Sequence, residues 1–118
     1  MAQERVTVCH SDELPAGQRR LVKTSRGVIG VFNINGSYRA VKNVCPHAGA
    51  ELCLGPISGT TEINANGEIV WTREDRILRC VWHGWEFDLE DGYTLTTPRI
   101  RVALFPVTIE GDEVVLYV

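Results

Sequence analysis

Two short segments combine a cysteine with a histidine at the spacing of metal ligands. The first reads CPHAGA from Cys45, with His47 two positions later, and the second reads CVWHGW from Cys80, with His83 three positions later. Thiolates and imidazoles both bind transition metals well. Two such loops side by side can hold two metal positions, one with both sulfurs and one with both nitrogens, or all four donors can converge on one ion. These four side chains are the candidate metal ligands.

The other cysteines and the third histidine lack such a pairing. Cys9 and Cys53 have no histidine partner at ligand spacing and are interpreted as structural thiols, while His10 is expected at the surface. Four cysteines in a small secreted protein would suggest two disulfides. However, Glu4 and Arg5 stand where a secretory signal would have its apolar stretch. We therefore expect a cytoplasmic protein in which Cys45 and Cys80 bind metal.

Length and charge exclude several classes of function. The 118 residues correspond to one domain, expected to span 1–118. A net charge of −3 offers no field to hold a phosphate backbone, so nucleic acid is not an expected partner. No run approaches the roughly 20 apolar residues that cross a bilayer, so no membrane anchor is expected.

The segments that must position these ligands have the pattern of β-strands. Apolar and polar residues alternate in short runs, and Asn-Gly or Asp-Gly pairs separate several of the runs. No stretch shows a helical stripe, apart from one short turn beginning at Ser11. The pattern predicts a small all-β sandwich or barrel. The predicted runs are Arg5–Cys9, Arg20–Lys23, Val28–Ile34, Ser37–Lys42, 60–63, 68–72, 85–89, 93–96, 102–109 and 114–118, with turns at Asn35-Gly36, Asn66-Gly67, Asp91-Gly92 and 110–112.

The two motifs together resemble the ligand boxes of the Rieske iron–sulfur family. That family's first box usually reads C-P-H-x-G-A, as residues 45–50 do, and its second reads C-P-W-H-G-W-x-F-D, against CVWHGWEFD at residues 80–88. The similarity extends from about Val31 to the C-terminal hairpin. It implies a Rieske-like antiparallel β-sandwich whose cluster-binding subdomain, about residues 43–90, consists of two ligand loops.

The resemblance also implies the cofactor, one Rieske-type 2Fe-2S cluster. Cys45 and Cys80 would bind one iron, and His47 and His83 the other. A structural zinc site uses the same donor types and is the alternative. Zinc fingers usually place two cysteines together and then two histidines, whereas here each pair is mixed. Iron–sulfur is therefore the favoured interpretation.

Departures from the family pattern indicate a low-potential member. High-potential members carry an additional cysteine in each box, joined as a disulfide, where this chain has Ala50 and Trp82. They also use a serine hydroxyl and a tyrosine phenol as hydrogen-bond donors to sulfur, where this chain has Trp85 and Phe87. Losing such bonds lowers the potential. The expected midpoint is nearer about −150 mV than +300 mV.

The spacing between the boxes is the other departure. His47 and Cys80 are separated by 32 residues, more than is usual in ferredoxin-type members. The additional stretch is assigned to residues 58–76, with Trp71 on its return arm. It is interpreted either as a longer hairpin that selects a redox partner or as a surface extension without a role.

The function implied is electron transport by a Rieske-type ferredoxin that is not itself an enzyme. Rieske oxygenases need a second iron held by two histidines and a carboxylate, and only His10 remains outside the two boxes. The expected partners are a flavoprotein reductase and a terminal oxygenase of a dioxygenase system, ring-hydroxylating or related. They would meet the chain near His47 and His83. The alternatives are a small electron-transfer subunit of a nitrite-reductase-like assembly and a zinc-stabilised protein-binding module.

Overall fold

The computed structural model describes residues 3–46, 49–82, 84–95 and 99–118. Within these ranges, ten strands form three antiparallel sheets, which confirms the all-β prediction. We call them the terminal sheet (β1-β10-β9), the central sheet (β2-β3-β4-β8) and the loop sheet (β5-β6-β7). The strands are β1 Arg5–His10, β2 Arg19–Thr24, β3 Gly27–Ile34, β4 Ser37–Lys42, β5 Ile57–Ile63, β6 Ile69–Arg79, β7 Glu86–Asp88, β8 Leu104–Phe105, β9 Val107–Glu110 and β10 Glu113–Tyr117.

Strand β3 lies between the two apolar clusters and is buried on both faces. Ile29 and Val31 pack with Val114 of the terminal sheet, in one apolar cluster. Phe32 belongs to a second cluster on the opposite face, which contains both motif cysteines. The predicted alternation of buried and exposed residues is therefore wrong for this strand, because a strand covered on both faces is apolar at successive positions.

The turns follow the sequence to different degrees. Asn35 and Gly36 form the predicted tight turn between β3 and β4, with φ of 54° and 91°. At the next Asn-Gly pair only Gly67 has a positive φ, of 78°. There the turn is wider, because the Asn64 side chain accepts the backbone N–H groups of Asn66 and Glu68 at 2.9 and 3.0 Å.

Pro106 divides the predicted strand 102–109 between two sheets. The residues before it form β8, which pairs with β4, and those after it form β9, which pairs with β10. Proline has no N–H to donate and interrupts a continuous ladder. The C-terminal strands therefore connect the central and terminal sheets.

The hairpin of β5 and β6 contains the segment assigned as an insertion. Its register shifts at Gly59, opposite which β6 carries the additional residues 73–76. Arg73 and Asp75 take positive φ values of 54° and 61° in this bulge. None of the helical segments in the described ranges is long and apolar enough to cross a membrane.

Candidate metal centre

Backbone hydrogen bonds join the described ends of the first motif, whose residues 45–50 we call the first ligand loop. The backbone N–H of Cys45 donates to the carbonyl of Ala50 at 2.8 Å, and the N–H of Gly49 donates back to the Cys45 carbonyl at 2.7 Å. Gly49 has a φ of 73°, in the region that side-chain-bearing residues avoid. The turn therefore requires glycine at position 49.

The ends of the second motif are joined in a similar way, and we call residues 80–85 the second ligand loop. The backbone N–H of Cys80 donates to the carbonyl of Trp85 at 2.8 Å. Gly84 has a φ of 67° and stands four positions after the cysteine, as Gly49 does in the first loop. Each loop therefore begins at a cysteine and closes five residues later.

The two loops bring their cysteine thiols together. Cys45 and Cys80 are 1% and 2% exposed and belong to the same apolar cluster. Burial raises the pKa of Cys80, a hydrogen bond from the Trp82 backbone lowers it, and the adjacent Cys45 thiol raises it further. The predicted ligands His47 and His83 lie outside the described residues, so their assignment stays a prediction.

The donor chemistry of this thiol pair fits a metal cofactor. All four cysteines are free thiols in the structure. Two buried thiols suit a soft metal ion, and coordination reverses the effect of burial because a bound thiol is deprotonated. Within the described part of the chain, no group of three or more histidine, cysteine or acidic side chains can hold a metal. Cys45 and Cys80 would therefore supply two donors of a larger set.

Neutral contacts and one arginine hold the segment that follows the first loop. The side-chain oxygen of Asn43 accepts the backbone N–H of Cys53 at 2.8 Å. Arg19 donates to the Cys53 carbonyl at 2.9 Å and to the Gly55 carbonyl, and its guanidinium lies 4.8 Å from the centre of the Phe32 ring. These residues join the loop segment to β2, β3 and β4.

A close backbone contact joins the two loop segments. A Cβ placed on Gly55 would lie 1.8 Å from the carbonyl oxygen of Arg79, the residue before Cys80. Only glycine allows this approach. The position of the second loop therefore depends on the chain that leaves the first.

Charged side chains hold the strand that follows the second loop. Asp88 is 2% exposed and accepts hydrogen bonds from Arg73 and Arg76, both at 2.8 Å, and from the Glu90 backbone N–H at 2.9 Å. Burial alone would raise the pKa of Asp88, but these three donors outweigh burial and lower it. The bulge in β6 thus supplies the cations that hold β7.

The aromatic residues of the second motif divide between surface and core. Trp82 is 56% exposed and the neighbouring Val81 is 50% exposed. Phe87 is fully buried, and Trp85 packs against the same cluster from a partly exposed position. Phe87 is therefore a core residue, whereas Trp82 stands at the surface beside Cys80.

The residues outside the motifs have structural roles. Burial raises the pKa of Cys53 to about 12, and its thiol bonds to the Val41 carbonyl at 3.3 Å. Cys9 lies in the opposite cluster. His10 is exposed, as predicted, and its ring nitrogen accepts the backbone N–H of Asp12 at 3.2 Å.

Sequence reasoning missed the residues that position the loops. Arg19, Asn43, Arg73 and Arg76 carry no motif of their own. Asp88 is the last residue of the second motif, CVWHGWEFD. Its place in the motif was the only sign in the sequence that it belongs to an ionic network. The partners of these residues lie 10 to 36 positions away along the chain, beyond the range of local pattern.

Comparison with known proteins places this geometry in a family. The family model of the Rieske 2Fe-2S domain matches residues 4–110. The chain is 32% identical to mouse apoptosis-inducing factor 3 over 111 residues, which cover 93% of the chain but 16% of that protein. It is 25% identical to the ferredoxin component of an alkene monooxygenase system from Xanthobacter autotrophicus, covering 96% of the chain and 80% of the relative.

Solved structures show the same fold. A Mycobacterium tuberculosis protein assigned as the small subunit of an NADH-dependent nitrite reductase superposes with a TM-score of 0.76, at 24% identity, over 98% of this chain and 96% of its own. The ferredoxin of carbazole 1,9a-dioxygenase from Nocardioides aromaticivorans superposes with a TM-score of 0.72, at 23% identity, over 95% of both chains. The chain belongs to the Rieske 2Fe-2S domain family, whose cofactor is a Rieske-type 2Fe-2S cluster.

Proposed function

We propose that this chain is a one-electron carrier whose 2Fe-2S cluster is held by Cys45 and Cys80 on one iron and by His47 and His83 on the other. The observation that carries the proposal is the contact of two buried thiols from two matching loops, in a chain of the Rieske family. When bound, such a cluster takes up and releases one electron. The cluster-binding subdomain is proposed to comprise about residues 43–90 of a single domain spanning 1–118.

The chain's own residues exclude water from the thiols and leave a surface for partners. Both cysteines lie within an apolar cluster, which keeps solvent from the sulfur end of the site. Beside them, Val44, Val81 and Trp82 are between 47% and 56% exposed. This end of the molecule is proposed as the place where donor and acceptor meet the chain. Electron-transfer encounters need less than about 1,200 Å² of buried surface.

The proposed partners are a flavoprotein reductase as donor and a terminal oxygenase as acceptor. Two relatives at 25% identity are ferredoxin components, one of an alkene monooxygenase system and one of an Escherichia coli 3-phenylpropionate/cinnamic acid dioxygenase. We propose that this chain likewise serves an oxygenase, ring-hydroxylating or related, and has no substrate site of its own. The four free cysteines agree with the proposed cytoplasmic location.

A second candidate function is a small electron-transfer subunit of a larger oxidoreductase. The structure with the TM-score of 0.76 is assigned to such an assembly, although a likeness at 24% identity supports the fold and not the activity. Copurification with a large partner in a fixed ratio would favour this candidate over a diffusing carrier. The zinc-module alternative is set aside because the family's cofactor is an iron–sulfur cluster.

Metal analysis and voltammetry test the proposal. We expect iron and acid-labile sulfide in equal amounts, and a midpoint at pH 7 nearer about −150 mV than +300 mV. Zinc without sulfide would overturn the carrier function. A midpoint above roughly +100 mV would contradict the low-potential assignment alone.

Because the chain carries a net charge of −3, its electron exchange with a reductase that presents a basic patch should slow as salt is added.

A further inference from the structure

A charged pair closes the second ligand loop from outside. Arg79 and Glu86 are register partners on β6 and β7, each one residue beyond the loop. Arg79 Nη2 lies 3.1 Å from Glu86 Oε2, and the Thr60 hydroxyl of β5 donates to Glu86 Oε1 at 3.1 Å. Both oxygens of the carboxylate are therefore occupied. A single side chain ties together the three strands of the loop sheet.

The arginine also runs along the loop itself. Its Cδ lies 4.0 Å from the position that a Cβ on Gly84 would occupy. The backbone N–H of Arg79 donates to the Pro56 carbonyl at 3.1 Å, which fixes the start of the side chain directly before Cys80. A unit positive charge and a unit negative charge thus stand beside this loop.

The charges affect an electron carrier because reduction adds one negative charge to the cluster. A nearby cation lowers the energy of the reduced state, and a nearby carboxylate raises it. The Glu86 side chain is 22% exposed and that of Arg79 is 43% exposed, so water screens the two only in part. Charge and hydrogen bonding around iron–sulfur clusters are among the factors that set their potentials.

We propose that Arg79 and Glu86 are positioning residues that hold the second ligand loop and shift the cluster's reduction potential in opposite directions, Arg79 upward and Glu86 downward. This inference rests on the proposed function. If the two residues acted only by holding the loop, removing either one would shift the midpoint in the same direction. Midpoint shifts of opposite sign therefore distinguish an electrostatic role from a structural one.

The test is protein-film voltammetry of the holoprotein and its neutral variants. Arg79→Gln should lower the midpoint and Glu86→Gln should raise it, each by up to a tenfold change in the electron-exchange equilibrium constant, which is 59 mV for one electron. Arg79→Lys keeps the charge and should stay near the wild-type value. The double variant should lie between the single variants.

A second ion pair provides the matched control. Arg5 Nη2 lies 3.0 Å from Glu110 Oε1 in the terminal sheet, with similar chemistry but on other strands. Arg5→Gln and Glu110→Gln should leave the midpoint unchanged. A shift as large as that of the loop variants would show that any surface charge has this effect, which would overturn the proposal.

The remaining outcomes are also decisive. Shifts of the same sign in Arg79→Gln and Glu86→Gln, or no shift in either, would overturn the proposal. If a glutamine variant does not retain iron, Thr60→Val is measured instead of it, because this change keeps the charges of the pair and removes one hydrogen bond to Glu86. Without the Thr60 hydroxyl, the negative charge of Glu86 is less compensated, so the midpoint should fall. An unchanged midpoint would overturn the proposal. A wild-type protein without iron and sulfide would instead refute the proposed function.

Discussion

The two ligand loops share a backbone design but are held by different kinds of contact. The first loop leads into a segment fixed by the Asn43 amide and by Arg19 hydrogen bonds to backbone carbonyls, whereas the second is enclosed by carboxylates paired with arginines. Hydrogen bonds to neutral amide and carbonyl oxygens respond little to pH, while arginine–carboxylate networks respond to both salt and pH. The comparison teaches that one half of the site is set by geometry and the other also by charge. Variants of each half should therefore behave differently.

The largest effect is expected at the two motif cysteines, because each loop is proposed to contribute one thiolate to the cluster. Cys45→Ser and Cys80→Ser should each abolish cluster binding, because each removes one of the two thiolates. Iron and sulfide content together with visible absorbance would measure the loss. Cys9→Ser is the control, since this thiol lies in the opposite apolar cluster and should leave the content unchanged. Full cluster content in either of the first two variants would remove that cysteine from the ligand set.

The contact between the loops should be the most sensitive point for stability. Gly55→Ala places a Cβ 1.8 Å from the Arg79 carbonyl oxygen, which forces backbone movement. We expect a loss of about 3 kcal/mol or more in the free energy of unfolding, measured by urea titration. Gly17→Ala has a φ of 88° but no atom within 4 Å of the new Cβ, so it should cost about 1–2 kcal/mol. Equal losses would show that the close approach is unimportant.

The charged half of the site should lose stability with a dependence on pH. Asp88→Asn leaves Arg73 and Arg76 without their shared carboxylate and should cost about 1–3 kcal/mol near pH 7. The pKa of Asp88 is lowered by folding, so its contribution is complete above the unfolded value of about 3.9 and disappears as the pH falls through the folded value. The difference in unfolding free energy between wild type and variant should therefore be constant from about pH 5 to 8 and shrink below about pH 4. A difference that does not change with pH would contradict the ionic role.

The neutral half should show a smaller loss with no such dependence. Asn43→Ala leaves the buried N–H of Cys53 without its acceptor and should cost about 1–2 kcal/mol. Neither partner titrates, so the same urea experiment should give an equal loss near pH 7 and below about pH 4, where the loss of Asp88→Asn shrinks. A loss that follows pH as that of Asp88→Asn does would mean that the two loops are held alike.

Local pattern was sufficient for the bounds of the first four strands and for the two motif loops. Alternation and the Asn35-Gly36 turn predicted β1 to β4 within one residue, and positive φ values at Gly49 and Gly84 agree with the tight loops. Local pattern was insufficient at β3, because only the packing of three sheets explains why both its faces are buried. The division at Pro106 also needed tertiary knowledge, since proline permits an edge strand as well as a break.

The site was predictable only as far as its chemistry is written in the motifs. Cys45 and Cys80 were paired by their resemblance to known boxes; the structure places the two thiols next to each other, and their role as ligands stays a prediction. The bulge that turns Arg73 and Arg76 toward Asp88 has no local signal, because its two positive φ values fall on Arg73 and Asp75 and not on glycines. Long-range charge pairs depend on the completed fold.

The burial of β3 between two apolar clusters has a consequence for how the molecule opens. Amide hydrogens that exchange only through complete unfolding lie in the most protected strands, whereas exposed turns exchange through local fluctuations. The amides of Ile29 to Phe32 should therefore be the slowest to take up deuterium, and those around Asn64 to Glu68 among the fastest. The ligand loops pack against one face of this strand only, so we expect a local opening of these loops to leave the terminal sheet on its other face folded.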